Sequence, residues 1–363
     1  MINIDDAQIP APFNLSKFSL RGKSEQMKLK MLKDCFVLDR IAILGQATVI
    51  YAKPNTGKTL LTLWMLVESI KARAIDGERV FYVNADDDYK GLVQKAEMAE
   101  QYGFHMLAPN HEGLKSNELV GHLEQMVVDD TARKSIIILD TLKKFCDLMD
   151  KKRSGSFMTK AREFVSNGGT MILLAHTNKN RDANGKAIFG GTSDVVDDCD
   201  CVFILDEIAR EGNYKRVFFE NIKSRGDVAS ELAFKYSIED GKHYQYRFDS
   251  VEMADQIITV QAKVDKEYWD GRDKNRLAID AITEAIESEV NLKTELIKVA
   301  HENSGISKST LHKVLDRYKG KCIGFDTKDL GRETTGVKNA KSYVLGNAPE
   351  ATKEQYSRHK DGE

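Results

Sequence analysis

The eight residues Ala52–Thr59, AKPNTGKT, constrain this chain more than any other feature of it. They follow the apolar run ATVIYA (47–52) and open into TLLTLWMLVESIKARAI, whose apolar spacing predicts a helix. A loop of small residues between a strand and a helix turns successive backbone N–H groups inward, and the helix N-terminus adds partial positive charge behind them. Such a loop receives phosphate. Lys58 offers a cation to the terminal phosphate oxygens and Thr59 a hydroxyl to Mg²⁺. The cradle comprises Ala52, Lys53, Pro54, Asn55, Thr56, Gly57, Lys58, Thr59 and Leu60, with Ala52 where the usual pattern has its first glycine. ATP with Mg²⁺ is the expected cofactor pair, and ATP hydrolysis the expected activity.

Further apolar runs repeat the alternation. ERVFYVNA (78–85) reads as a strand, Tyr89–Tyr102 as a helix, and SIIILD (135–140) and GTMILLAH (169–176) as further strands. CDCVFILDEI (199–208) and YKRVFFENIK (214–223) close the series without a helix between them. Nearly continuous apolar strands alternating with helices predict an α/β fold, a mainly parallel sheet covered on both faces, with the last two runs as an antiparallel extension. Asp140, at the tip of the third strand, can hold the water shell of a Mg²⁺ ion beside Thr59. The acidic cluster Asp86, Asp87 and Asp88 follows the second strand. Asp86 is the first choice for orienting and deprotonating an attacking water and Asp87 the second, while Asp88 reads equally well as the cap of the next helix. His176 ends the fourth strand, where a polar side chain can sense the γ-phosphate.

Composition narrows the class. The chain of 363 residues is 41% hydrophobic and 30% charged, with a net charge of −2. No run approaches the roughly 18 apolar residues of a membrane span. The segment MINIDDAQIPAPF lacks the basic-then-apolar order of a secretory signal, so no membrane partner is expected. Five scattered cysteines, odd in number, suit a reduced cytoplasmic setting better than a disulfide framework.

The domain reading is an N-terminal arm over 1–35, the α/β domain over 36–250, a polar linker over 251–271, a small module over 272–346 and a polar tail over 347–363. Within the module, three short helices precede an apolar strand, and Ser307 is placed to cap the third helix. From Ser304 to Leu345 nine basic residues face four acidic ones, a local excess of five in a near-neutral chain. Three helices and a basic hairpin predict a winged helix-turn-helix with Lys308, Lys313 and Arg317 on its recognition helix. That helix suits duplex DNA or a protein contact, and the sequence does not separate the two.

Together these motifs resemble the RecA-like hexameric replicative helicases, the DnaB-like group and the plasmid RepA-type helicases, over roughly Leu38 to Tyr236. The DnaB-like A-x-P-x-x-G-K-T form accounts for Ala52 and Pro54. The family carries a glutamate as catalytic base after the second strand, and Asp86 stands at that position here. LLAHTNK, with His176, and FGGTSDVVDDCD resemble the RepA-type segment after the fourth strand, where DnaB itself usually has Gln. The resemblance implies that the K-x-R pair Lys223 and Arg225, in FENIKSRGD, reaches the ATP of a neighbouring subunit, so the active form is a homo-oligomer, a hexamer in the family. It further implies two basic loops that grip single-stranded DNA, LKKFCDLMDKKRSGSF with Lys151, Lys152 and Arg153, and TNKNRDANGKAIFGGTS with Lys179, Arg181 and Lys186.

Two function classes follow, and a weaker third. One is an ATP-driven helicase or translocase on single-stranded DNA, serving replication of a plasmid, phage or mobile element. Another is a non-unwinding ATPase switch, a DNA-binding loader or regulator that works through the C-terminal module. A recombinase-like filament former is the third.

Overall fold

A computed structural model of the chain describes residues 14–30, 35–181, 187–191, 193–255, 258–259, 274–290, 292–318, 325–329 and 341–345. It divides into two compact units, residues 1–180 with 187–256, and residues 181–186 with 257–363. Among the described residues no helix is long and apolar enough to cross a membrane.

In the first unit, helix α1 (Ser24–Lys30) precedes a small hairpin of β1 (Phe36–Leu38) and β2 (Ala42–Ile43). Strands β3 (Ala47–Ala52), β4 (Val80–Asn84), β5 (His105–Leu107), β6 (Ile136–Asp140), β7 (Thr170–Arg181) and β9 (Cys201–Glu211) pair in parallel. Their spatial order is β9-β3-β7-β6-β4-β5, so one strand separates the phosphate-loop strand β3 from the Asp140 strand β6. Helices α2 (Lys58–Lys71), α3 (Tyr89–Tyr102), α4 (Leu119–Val128) and α5 (Lys151–Ser166) join them, and a short α6 (Asp194–Asp198) leads into β9. The short β8 (Ala187–Phe189) pairs with β7. Beyond β9 the sheet turns antiparallel through β10 (Tyr214–Lys223), β11 (Glu231–Ser237) and β12 (Glu252–Met253), with α7 (Tyr244–Asp249) before the last.

The apolar runs are continuous because both sheet faces are covered. Along β3, Ile50 and Ala52 join the core on the α2 and α3 side, whereas Ala47, Val49 and Tyr51 join the core on the α4, α5 and α6 side. The same alternation sends Ile136 and Ile138 of β6 one way and Ile137 and Leu139 the other. Successive side chains of a strand point to opposite faces, so each buried strand feeds two cores. The mixed α/β class and the mainly parallel sheet are as expected.

Three expectations change. Lys151, Lys152 and Arg153 lie not in a loop but in the first turn of α5, because Asp150 accepts hydrogen bonds from the backbone N–H groups of Lys152 (2.9 Å) and Arg153 (3.1 Å) and starts the helix there. The second basic loop is in part a strand: β7 runs on through Lys179 to Arg181 and pairs with β8, while Lys186 lies outside the described residues. The sheet also continues past residue 250, since Phe234 of β11 registers with Met253 of β12. Most of the expected linker, and all of the expected tail, fall outside the described residues.

The second unit packs α8 (Arg276–Glu287), α9 (Lys293–Ser304) and α10 (Lys308–Tyr318) around Ile282, Leu296, Leu311 and Leu315, with an antiparallel pair of β13 (Phe325–Asp329) and β14 (Lys341–Leu345). Gly305, at φ 71°, ends α9 in the left-handed conformation, and the Ser307 hydroxyl accepts from Thr310 N–H (3.2 Å) to cap α10. Leu311, Val314, Leu315 and Tyr318 are buried, which leaves Lys308, Lys313 and Arg317 on the exposed face of α10.

Ile172 of β7 sits between β3 and β6 with no exposure. Ile172→Ala should lower the unfolding free energy by about 2–5 kcal/mol, read from urea denaturation.

Candidate functional site

Strand register brings the expected residues to one edge of the sheet. Ala52 of β3 pairs with His176 of β7 and Leu205 of β9, and Asn84 of β4 pairs with Asp140 of β6. The phosphate loop, Asp140, the acidic cluster and His176 therefore all leave the C-terminal ends of parallel strands, where open α/β sheets bind ligands.

The loop is built for an anion. Gly57 is the residue before α2, at φ 93°, and no side chain caps the helix start. The first N–H groups of α2 are free of side-chain competition, and the helix dipole adds to their pull on phosphate. A Cβ on Gly57 would lie 2.6 Å from the Tyr236 hydroxyl, so glycine is required there by both backbone angle and space. Asn55 also takes a left-handed φ of 62°.

Asp140 is the hub. It is only 2% exposed, and its Oδ2 accepts from the Thr59 hydroxyl (2.6 Å) and the Tyr82 hydroxyl (2.8 Å). Lys58 Nζ stands 3.5 Å from Oδ1 and also donates to the Thr141 hydroxyl at 3.5 Å. Burial pulls the Lys58 ammonium below the usual lysine range, against the opposing charges of Asp140 and Asp86. Burial, then Asp140, holds the Tyr82 phenol well above its ordinary value, so it stays a donor.

The residues fit ATP with Mg²⁺. Oδ1 of Asp140 is buried without a hydrogen-bond partner, an acceptor left open beside the Thr59 hydroxyl. Thr59 and Asp140 would hold the ion, directly or through water, and when bound it would neutralise charge on the phosphates. Among the described residues there is no group of three or more His, Cys, Asp and Glu side chains that could hold a metal ion.

The three adjacent aspartates part company. Asp88 caps α3, accepting from Gly91 N–H at 2.8 Å. Asp87 pairs with the buried Lys95 and accepts from the Asn84 amide at 2.5 Å. Asp86 is exposed, and its charge acts on both Lys58 and His176, which leaves it as the carboxylate available to a water. Nδ1 of His176 is buried without a hydrogen-bond partner. Burial, with Lys58 and Lys143, holds this imidazole below the ordinary histidine value and so neutral at pH 7.

Lys223 and Arg225 are not at this edge. Lys223 donates to the carbonyls of Val196 (2.8 Å) and Asp197 (2.5 Å) at the end of α6. Arg225 is 56% exposed, 3.6 Å from Asp200, whose other oxygen accepts from Ala47 N–H at the start of β3. The pair is thus separated from its own phosphate loop by the length of β3, about 16 Å at roughly 3.3 Å per residue.

A cavity of about 940 Å³ opens beside His176 and is lined by Lys143, Lys144, Lys152, Arg153 and Phe145. Lys151 is exposed at the same helix start. Lys179 and Arg181 belong to β7.

Sequence reasoning missed Tyr82, Lys143, Lys215 and Tyr236. Lys215 of β10 donates to the Asn55 carbonyl at 2.9 Å, and Lys143 follows Asp140 closely enough to depress Lys58 and His176. Lys143 carried a signal, lying three residues after Asp140. The others reach the site only through sheet pairing.

With this geometry in view, comparison with known proteins bears on one stretch of the chain. Residues 37–182 match the family model of the AAA domain. That segment runs from β1 through β7 and holds the phosphate loop, Asp86, Asp140 and His176. No curated protein matches the chain. Among solved structures, the crystal structure of a KaiC-like protein from the hyperthermophilic archaeon Pyrococcus horikoshii OT3 is similar, at 11% identity and a TM-score of 0.42, over 62% of this chain and 100% of that one. The AAA match and the strand order support a RecA-like phosphate-loop unit with nucleotide-dependent ATPase activity.

Asp86→Asn should cut turnover at saturating ATP by about 100-fold or more while ATP affinity stays within about threefold. Asp88→Ala should leave turnover near wild type and cost about 0.5–2 kcal/mol of stability through the lost cap. Steady-state kinetics and thermal melts of the two variants check both.

Proposed function

We propose that the chain is the subunit of an ATP-driven, ring-forming DNA helicase or translocase on single-stranded DNA, in the replication of a plasmid, phage or mobile element. The carrying observation is the position of Arg225. The site around Lys58 has a loop, a metal carboxylate and a candidate base. Among the described residues the side chains that contact Lys58 and Asp140 are Thr59, Tyr82 and Thr141, none of them an arginine that could meet charge developing on the γ-phosphate. Arg225 stands exposed at the opposite sheet edge, where it is useless in cis and available in trans. A homo-oligomer, a hexamer by the resemblance, then completes each site with its neighbour's arginine. Of the K-x-R pair Arg225 is the finger, since Lys223 is committed to the carbonyls of α6.

The single-stranded DNA path follows the basic cavity beside His176. Lys152 and Arg153 at the start of α5 contact backbone phosphate, with Lys151 beside them. A strand held there borders the γ-phosphate sensor, so hydrolysis changes its grip. The setting is cytoplasmic, and no membrane is involved.

A second reading has its own observation. Lys308, Lys313 and Arg317 are exposed on α10, the second helix of a helix-turn-helix pair in a unit that ends in a hairpin. A nucleotide-controlled loader or regulator would bind duplex DNA, or a replication protein, through that face without unwinding.

Strand displacement on a forked duplex with ATP and Mg²⁺ separates the two, with Lys58→Ala as the inactive control. Displacement supports the helicase; DNA-stimulated hydrolysis without displacement overturns it and keeps the switch. Arg225→Ala should abolish turnover with ATP binding near normal, and mixing it with Asp140→Asn should restore part of the activity. Absence of rescue would sink the shared site.

A further inference from the structure

We infer that Lys215, outside the loop motif and 160 residues along the chain from Asn55, is a positioning residue of the phosphate loop that sets its affinity for the triphosphate. The inference rests on the ATP-binding reading of that loop and deepens it. Lys215 is the second residue of β10, in the antiparallel extension, and is 6% exposed. Its ammonium donates to the Asn55 carbonyl at 2.9 Å and pairs with Glu207 at 3.1 Å.

Stability does not explain a lysine there. An ammonium taken out of water costs more than one ion pair and one hydrogen bond usually return, and buried pairs replaced by apolar side chains often leave proteins equally or more stable. Glu207 has its own second partner, since Arg210 Nε donates to it at 2.7 Å. The charge at 215 is therefore dispensable for satisfying Glu207, and its distinctive product is the geometry of Asn55.

That geometry matters to phosphate. A loop that aims N–H groups inward must turn carbonyls outward, and each outward carbonyl needs a donor. Asn55 is held at φ 62°, a conformation asparagine tolerates but does not prefer. The next N–H, on Thr56, lies 3.4 Å from the Lys53 carbonyl, beyond the usual 2.7–3.2 Å, so it is poorly committed within the loop. The Lys215 ammonium fixes and polarises that same peptide unit, which strengthens the Thr56 N–H as a donor to a phosphate oxygen. Tyr236 of β11 closes over Gly57 from the same extension. The wall behind the loop thus comes from β10 and β11, beyond residue 182 where the AAA match stops.

The test is Mg²⁺-dependent binding of a nonhydrolysable ATP analogue by the full chain, with melting of the nucleotide-free protein alongside. Lys215→Met should raise Kd by about tenfold, as loss of a charged hydrogen bond implies, in protein that the melt shows to be folded. Turnover at saturating ATP should stay within about threefold, so the loss appears in KM rather than kcat. Glu207→Gln, which removes the counter-charge aiming the ammonium, should raise Kd by a smaller factor and serves where the methionine variant does not fold. Wild-type affinity in a folded Lys215→Met, or in Glu207→Gln where only that variant folds, overturns the inference, as does a lowered Tm with Kd unchanged. A wild-type chain that binds no analogue instead overturns the ATP reading itself.

Discussion

The first unit depends on a carboxylate that is buried before any ligand arrives. Asp140 gives up its hydration at the end of a fully buried strand, and the protein returns only part of it. Thr59 and Tyr82 satisfy one oxygen, Lys58 forms an ion pair of 3.5 Å with the other, and that oxygen has no hydrogen bond. A buried acceptor without a donor costs stability, so a group that binds Oδ1 returns free energy to the fold. Lys58 is in the same position from the other side, its ammonium depressed by burial more than its neighbours restore. The electrostatics of the loop are unfinished, and an anion with its cation would complete them and stabilise the fold in proportion to affinity.

Sheet topology turns this local arrangement into a device with two ends. Parallel strands share a direction, so the loop, Asp140, the 86–88 turn and His176 must emerge together at the C-terminal edge. The antiparallel strand β10 runs back, and its two ends serve opposite edges: Lys215 touches the loop, and Lys223 and Arg225 follow at the far edge beside α6 and Asp200. One strand thus spans from the support of its own phosphate loop to the arginine proposed to act elsewhere. A displacement felt at Arg225 and a displacement of Asn55 would share one rigid element, which is the minimum that coupling between subunits requires.

What the sequence made legible is what local chemistry determines. Val, Ile and Leu runs such as SIIILD have one outcome when both faces are covered, and the loop announced itself through Gly57, Lys58 and Thr59. Asp88 could be read as a cap because capping acts over three residues, and it accepts from Gly91. The failures are equally physical. The stretch around Lys151 has three cations and a glycine, which argue for a loop, yet one carboxylate at Asp150 satisfies two backbone donors and starts a helix through them. The polar residues after His176 lack an apolar pattern, but β7 runs on because β8 pairs with it. Lys215, Tyr82 and Tyr236 were beyond reach, since what matters is the loop atom each meets, and only strand register decides that.

The start of α5 shows how a mistaken element can strengthen a functional reading. Cations in the first turn of a helix oppose its dipole, each by a few tenths of a kcal/mol or more, and α5 places Lys151, Lys152 and Arg153 there in succession. Asp150 offsets part of this with two hydrogen bonds and an exposed contact to Arg153, 3.5 Å long, which water screens. The helix therefore carries an excess of positive potential at its N-terminus, where side-chain charge and dipole add, and Lys152 and Arg153 deliver it to the lip of a cavity that also holds Lys143 and Lys144. A flexible loop would spread the same charges through solvent and lose entropy on ordering around a ligand. A capped helix has already paid that ordering, so a polyanion drawn into the cavity meets a fixed field beside His176, which lines the same cavity.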